Sequence, residues 1–248
     1  MENISQNGRV VRPVRKNSFE KSAWSFNNVV CGIDEVGRGC LAGPLVTAAV
    51  ILPPNKSSQI LKDSKILTEE QRLKGYSWIV KNCWYAVGIV DNYSIDKHNI
   101  WHATLISMKK ALMHLLATCP RKPSSILVDA MPLKLLDTNY NSIPVYYFTK
   151  GELKSSSIAA ASIIAKVTRD ELMKKMETVF PGFYLENHKG YSTKKHKGAL
   201  KERPPLIIHR KSFLRHIDTF NEVQEDEYNE QQTICIPELN KQTVCRSD

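Results

Sequence analysis

Two adjacent carboxylates, Asp34 and Glu35, close the apolar run Val29–Ile33 and stand directly before Gly37-Arg38-Gly39. Taking two neighbouring carboxylates out of water is costly unless a cation or protons neutralise them. Successive side chains of a strand point to opposite faces, so both acids reach one site only if the strand ends, twists or bulges there, which the glycines permit. The pair reads equally as a helix cap or as a solvent-exposed acidic pair. A third acid, Asp129, closes the apolar run Ser125–Val128. In an α/β sheet, ligand crevices form beyond the C-terminal ends of strands, although a turn-forming Asp is equally common there. The three acids together offer hard oxygen donors, which suit Mg²⁺ or Mn²⁺ and not Zn²⁺.

Further along, Lys150-Gly151-Glu152 precedes a run of small residues from Ser155 to Asp170. Small side chains on one helix face allow close packing on a sheet. Ser162 and Lys166, four apart, share a face that could contact phosphate, while Lys166 reads equally as a solvated lysine. Asp170 in Thr168-Arg169-Asp170 suits a buried ion pair or hydrogen bond better than catalysis. The chain offers no convincing Ser-His-Asp or Cys-His arrangement, so no protein nucleophile is expected.

The elements that must position these residues follow from periodicity and punctuation. Val29–Ile33 and Leu45–Leu52 predict two strands paired as a hairpin through a tight glycine turn. Thr68 with Gln71 predicts a capping box opening a helix to about Lys81, followed by a strand over Trp84–Val90. Helical spacing predicts a long helix over Asn99–Ala117 and another over Ser157–Val179, with short strands at Ser125–Val128 and Ile143–Phe148. Helical segments are expected near Thr193–Leu200 and Phe213–Asn221. The order β-β-α-β-α-β-β-α indicates an α/β layer fold with a mixed sheet.

Of the 248 residues, 42% are hydrophobic, enough to fill an ordinary core, and the net charge is +10. Residues 1–24 carry five Lys/Arg against two acids, and residues 217–248 carry eight acids against two bases, which leaves about +13 on residues 25–216. So basic a centre favours a polyanionic partner, because each phosphate neutralised releases counterions, although a basic surface also serves solubility. Residues 1–28 are expected to be a flexible polar leader, residues 29–217 the folded domain with its helical C-terminal part, and residues 218–248 an acidic, frayed tail. Six cysteines without C-x-x-C spacing read as free thiols in a reducing, cytoplasmic compartment. The longest apolar stretch, around Pro44–Leu52, is too short to span a bilayer, so no membrane role is expected.

The residues 32–49 (GIDEVGRGCLAGPLVTAA), Asp63-Ser64-Lys65, Val128-Asp129, the Ala-rich run through Asp170, and His188-Lys189-Gly190-Tyr191 resemble, in order, the motifs of ribonuclease HII. The resemblance runs from about Gly32 to His216. It implies the ribonuclease-H-like mixed sheet flanked by helices, with a small helical C-terminal extension. It also implies Asp34, Glu35, Asp129 and Glu152 as catalytic, metal-binding acids for two Mn²⁺ or Mg²⁺ ions. The family's fourth acid normally stands in Lys-Gly-Asp, so Glu152 departs from the pattern by one methylene, which puts efficiency and metal preference in doubt.

The implied reaction is hydrolysis of the RNA strand of RNA–DNA hybrids, and nicking 5′ to single ribonucleotides in duplex DNA, leaving 5′-phosphate ends. By the same resemblance Gly37, Arg38 and Gly39 read the 2′-hydroxyl, and Tyr191 stacks on the sugar that follows the ribonucleotide. Ser64, Lys65, Ser162, Lys166 and Lys189 are the remaining substrate contacts expected. The partners implied are RNA–DNA hybrid and DNA duplex with embedded ribonucleotides, acted on by a monomer. Gln231-Gln232-Thr233-Ile234 only faintly resembles a sliding-clamp-binding peptide, since the aromatic pair is missing. A ribonuclease HIII-like enzyme and a catalytically weakened hybrid-binding module are the alternatives; the first usually carries a substrate-binding domain before the catalytic part.

Overall fold

The computed structural model describes residue 9 and residues 14–58, 60–61, 64, 66–136 and 138–215. The elements run α1 (Ser18–Ser25), β1 (Val30–Val36), β2 (Leu45–Ile51), α2 (Glu69–Asn82), β3 (Trp84–Val90), α3 (Asn92–Thr118), β4 (Ser125–Asp129), β5 (Val145–Phe148), α4 (Gly151–Lys154), α5 (Ser156–Val179), α6 (Leu185–His188), α7 (Lys194–Glu202) and α8 (Lys211–Leu214). The strands form one five-stranded sheet in the order β3-β2-β1-β4-β5. β1 pairs antiparallel with β2 and parallel with β4, and β5 continues the parallel half, so the sheet is mixed as expected.

Helix α3 covers one face and α5 the other. Ile33, Ala49, Ile51 and Val128 pack with Met108, Ala111 and Leu112, while Val46, Ala48 and Val50 pack with Ala159, Ala160, Ile163 and Ile164. The small residues of α5 bring its backbone onto the sheet: a Cβ at Gly32 would lie 2.1 Å from the Ser157 carbonyl carbon. Only glycine allows that contact, and it fixes α5 along β1.

The capping box at Thr68 and Gln71 is present and starts α2. α3 begins earlier than the apolar period suggested, at Asn92 under an Asp91 cap, and is broken at Asn99 (φ 60°, ψ 164°). The link between β1 and β2 is not a tight turn. It spans residues 37–44 and forms isolated bridges from Cys40 to Tyr191 and from Ala42 to His209, so the C-terminal extension folds back onto it. Of the segment Phe213–Asn221, residues 213 and 214 lie in α8, and residues 216–248, with the tail and the faint clamp-like peptide, lie outside the described residues.

The expected leader is corrected by α1. Phe19 and Ala23, one turn apart, share an apolar cluster with Val30, Leu127, Phe148 and Ile158. The Phe19 ring lies 5.1 Å from Tyr146 and 5.6 Å from Phe148. The polar composition of residues 1–28 concealed this short amphipathic stripe. No helix among the described residues is long and apolar enough to cross a membrane.

Candidate active site

The parallel register of β1 and β4 ends at Ile33 opposite Val128, so Asp34 and Asp129 are the next residues on neighbouring strands. Alternation puts both on the α5 face, since Ile33 and Val128 belong to the cluster under α3. Two carboxylates side by side in a buried setting repel. Asp34 is 5% exposed, and burial first, then the charges of Glu35 and Asp129, push its carboxyl well above its ordinary value.

No bulge interrupts the β1–β2 register at Asp34-Glu35. The ladder to β2 runs on regularly through Glu35 opposite Thr47 and Val36 opposite Val46. The pleat starts the Glu35 side chain from the other face than Asp34, yet its charge still acts on the Asp34 carboxyl, and its Oε1 lies 3.7 Å from Arg38 Nη1.

Each acid is held by its surroundings. Asp34 Oδ1 accepts from the Glu35 amide at 2.7 Å, and the Ser162 hydroxyl also donates to Asp34. Having given its proton there, Ser162 accepts from Ser64 at 2.8 Å. Asp129 Oδ1 accepts from the Gly151 amide at 2.7 Å, next to Glu152, which is buried on the single turn of α4. Among the described residues, no three acidic, histidine or cysteine side chains are gathered closely enough to hold an ion as they stand. The oxygens of Asp34 and Asp129 are turned to backbone amides, and that of Glu35 to an arginine, as repulsion among like charges dictates.

The loop after β1 meets Tyr191 through buried cations. Arg169, fully buried on α5, donates to the carbonyls of Pro44 (2.8 Å), Ala42 (3.1 Å) and Lys189 (2.8 Å), and its guanidinium lies 5.8 Å from the Tyr191 ring. Arg210, also buried, donates to Gly43 and, at 2.9 Å, to the Arg38 carbonyl. Gly37 has φ +96° and lies against Arg169, whereas nothing stands within 4 Å of the position a Cβ would take at Gly39. Tyr191 shares a hydrogen bond with Cys40, and burial, then the Cys40 charge, pushes its hydroxyl up to about 12.

Three imidazoles support Tyr191 from below. His209 Nδ1 accepts from the Leu206 amide at 2.9 Å, so His209 Nε2 donates to His196 Nε2 at 3.0 Å, and His196 Nδ1 donates to the Tyr191 carbonyl at 3.0 Å. His188 stacks on His196 at 4.2 Å, accepts from the Gly190 amide and donates to Phe183. Neutral rings alone satisfy this set, in keeping with burial lowering His196 to about 4 and His209 to about 3.

The structure thus brings Asp34, Asp129, Ser162 and Ser64 together, with Gly151-Glu152 at the edge. Gly37, Arg38, Gly39 and Tyr191 form a second group joined by Arg169. Ser64 and Ser162 are nearly buried and hydrogen-bonded to each other. Lys166 pairs with Asp170 at 2.8 Å and lies 5.9 Å from the Tyr191 ring, which gives Asp170 the structural role its position suggested. The Lys189 ammonium donates to the Glu186 carbonyl. Lys65 lies outside the described residues. Arg210, His196 and His209 were missed, since buried arginines and histidines read in sequence as surface charge, and His188 entered only as part of the His188-Lys189-Gly190-Tyr191 motif.

Fold and site together define a nuclease of the ribonuclease-H-like class, a mixed sheet with acids side by side on adjacent parallel strands. The sequence profile of the family described as Ribonuclease HII matches residues 31–216, and the chain belongs to that family. It is 46% identical over 194 residues to the ribonuclease HII of Fusobacterium nucleatum, covering 77% of this chain and 88% of the relative. Among solved structures, ribonuclease H2 of Pyrococcus horikoshii OT3 superposes with a TM-score of 0.60 at 29% identity, covering 76% of this chain and 96% of that one. The PCNA:RNase HII complex from Archaeoglobus fulgidus gives a TM-score of 0.63 at 26% identity, covering 79% and 99%.

Proposed function

We propose that this ribonuclease H nicks duplex DNA 5′ to single embedded ribonucleotides, and cuts RNA in RNA–DNA hybrids, in a reaction dependent on two divalent cations. The observation that carries this reading is the proximity of Asp34 and Asp129 on adjacent parallel strands, with a glycine loop and Tyr191 bound into one unit by Arg169. The donor set fits Mn²⁺ or Mg²⁺: carboxylate oxygens only, with Asp34 already repelled by Glu35 and Asp129. Asp34, Glu35, Asp129 and Glu152 are the residues that would hold the ions. The chemistry such cations supply when bound is activation of a water and neutralisation of charge at the phosphate and the leaving 3′-oxygen, giving a 5′-phosphate product.

The protein's own part is orientation. Ser162 holds Asp34, and Gly151 holds Asp129, so neither carboxylate has to be ordered when substrate arrives. The open space at Gly39 lets backbone approach a ribose, where a 2′-hydroxyl distinguishes RNA from DNA. Tyr191, 38% exposed on a rigid base, offers its ring to the following sugar. Basic residues such as Lys166 and Lys189 set register on phosphates, so cleavage is tolerant of sequence. The four described cysteines are free thiols, which suits work in a reducing cytoplasm during replication and repair of DNA.

The test is cleavage of a DNA duplex holding one ribonucleotide, in Mg²⁺ or Mn²⁺ against chelator, with Asp34→Asn and an all-DNA duplex as controls. A metal-dependent nick 5′ to the ribonucleotide, lost in Asp34→Asn, is expected. Cutting of the all-DNA duplex at a similar rate would overturn it. Glu152 motivates one second reading, a weakened enzyme that mainly binds hybrids. In that case Glu152→Asp should switch on cleavage that the natural chain lacks.

A further inference from the structure

Helix α1 lies before the segment that the family profile matches, yet it is bonded into the edge of the active site. Glu20 is fully buried. Its Oε1 accepts from the Ser155 hydroxyl and from the Ser157 amide at 3.1 Å, while its Oε2 has no partner. Asn17 adds two bonds: its amide donates to the Lys154 carbonyl at 2.7 Å, and its Oδ1 accepts from the Ser156 amide at 2.8 Å. Residues 154–157 are the joint between α4 and α5, with Ser155 ending the first helix and capping the second.

Glu152 sits on the single turn between two tethers. On one side Gly151 is bonded to Asp129; on the other the joint is bonded to α1. A four-residue helix has almost no stability of its own, so its position is set by what holds its ends. The Ser157 backbone is also in contact with Gly32, two residues before Asp34, so α1 presses the start of α5 against the strand that carries the first acid. A buried carboxylate is costly to desolvate, and it is kept here at the positive end of a 24-residue helix, where it satisfies an amide and a cap hydroxyl.

We propose that Glu20 is a positioning residue for the catalytic metal site, setting the α4 turn so that the longer Glu152 side chain takes the place an aspartate would otherwise fill. The inference rests on Glu152 being a metal-binding acid. It makes the N-terminal helix, outside the matched family segment, part of the working enzyme. Glutamine at position 20 keeps the Oε1 acceptor for both bonds, whereas alanine removes it.

The experiment measures Mn²⁺ affinity of the full chain by titration calorimetry and electron paramagnetic resonance, together with amide hydrogen exchange of residues 151–157. The variants are Glu20→Gln, Glu20→Ala, Glu152→Ala and Leu116→Ala, the last a core destabilisation in α3 remote from α1. Glu20→Ala should weaken Mn²⁺ binding about 5–10-fold and speed exchange in α4, Glu20→Gln should restore both, and Leu116→Ala should lower the melting temperature without changing affinity. Unchanged Mn²⁺ affinity in Glu20→Ala, beside a clear loss in Glu152→Ala, overturns the role of Glu20 alone. An equal loss in Leu116→Ala reduces Glu20 to general stability and also overturns it. No loss in Glu152→Ala sinks the reading of Glu152 as a ligand, and the inference with it.

Discussion

The guanidinium of Arg210 donates to the main-chain carbonyl of Arg38 at 2.9 Å, and to Gly43 twice more, across more than 160 residues of chain. The residue that would meet the substrate is thereby held through its backbone and not its side chain. Arg210→Lys leaves part of this fork empty and buried carbonyls unmatched. Steady-state kinetics on the single-ribonucleotide duplex should show kcat/KM falling about 10–100-fold. Mn²⁺ affinity should change far less, because Arg210 donates to loop carbonyls and to none of the four acids.

Asp34→Asn should abolish cleavage and stabilise the metal-free protein. The Asp34 carboxyl is raised above its ordinary 3.8. Between the two values the native state holds more protons than the unfolded chain, so stability falls as pH rises through that window. The amide carries no such penalty. Melting in chelator at pH 7 should rise by a few degrees; a lower melting point would contradict the repulsion described.

Ser162→Ala removes a donor from Asp34 and leaves Ser64 without an acceptor. Cleavage at pH 7 should fall about tenfold, and the pH profile should move upward, since the carboxylate loses a bond to its charged form. Ser64→Ala acts only through Ser162 and should cost less. The double variant should cost less than the sum of the two, measured as a thermodynamic cycle on kcat/KM.

Mild acid should loosen the C-terminal extension first. His196 and His209 sit at about 4 and about 3 against an ordinary 6.5. Between those values and 6.5 the unfolded chain binds more protons, so their contribution is whole above pH 6.5 and declines as pH falls toward 4. Melting in chelator should drop by about 5–10 °C from pH 7 to pH 5. His209→Phe should flatten that slope, and an unaltered slope would show that acid acts elsewhere.

Much of this was legible beforehand for a physical reason. Strand signals, caps and apolar period are local, so β1, β2, β4, α2 and α5, with Asp129 at a strand end, could be read from neighbouring residues, although β1 runs two residues past Asp34. The roles of Arg169 and Arg210 could not, because their acceptors are main-chain carbonyls, which carry no side-chain signature. The bonds of Ser162 to Asp34 and Ser64 could not be read either, because those partners lie 128 and 98 positions away. Helix α1 was hidden because its anchor is one buried glutamate among polar residues, and its apolar stripe is only Phe19 and Ala23.

The parallel pairing of β1 with β4 has a bearing on how the enzyme comes into being. Val30 and Ser125 are matched across 95 positions of sequence, with an antiparallel hairpin, a third strand and two helices in between. Closing so long a loop is slow compared with forming the hairpin, and a nascent chain emerging N-terminus first has Asp34 long before it has Asp129. The strand holding the first acid therefore waits with one edge bare until β4 arrives. A fragment halted during synthesis before residue 129 carries half of a site and no capacity to cut, so the nuclease is silent until the sheet closes.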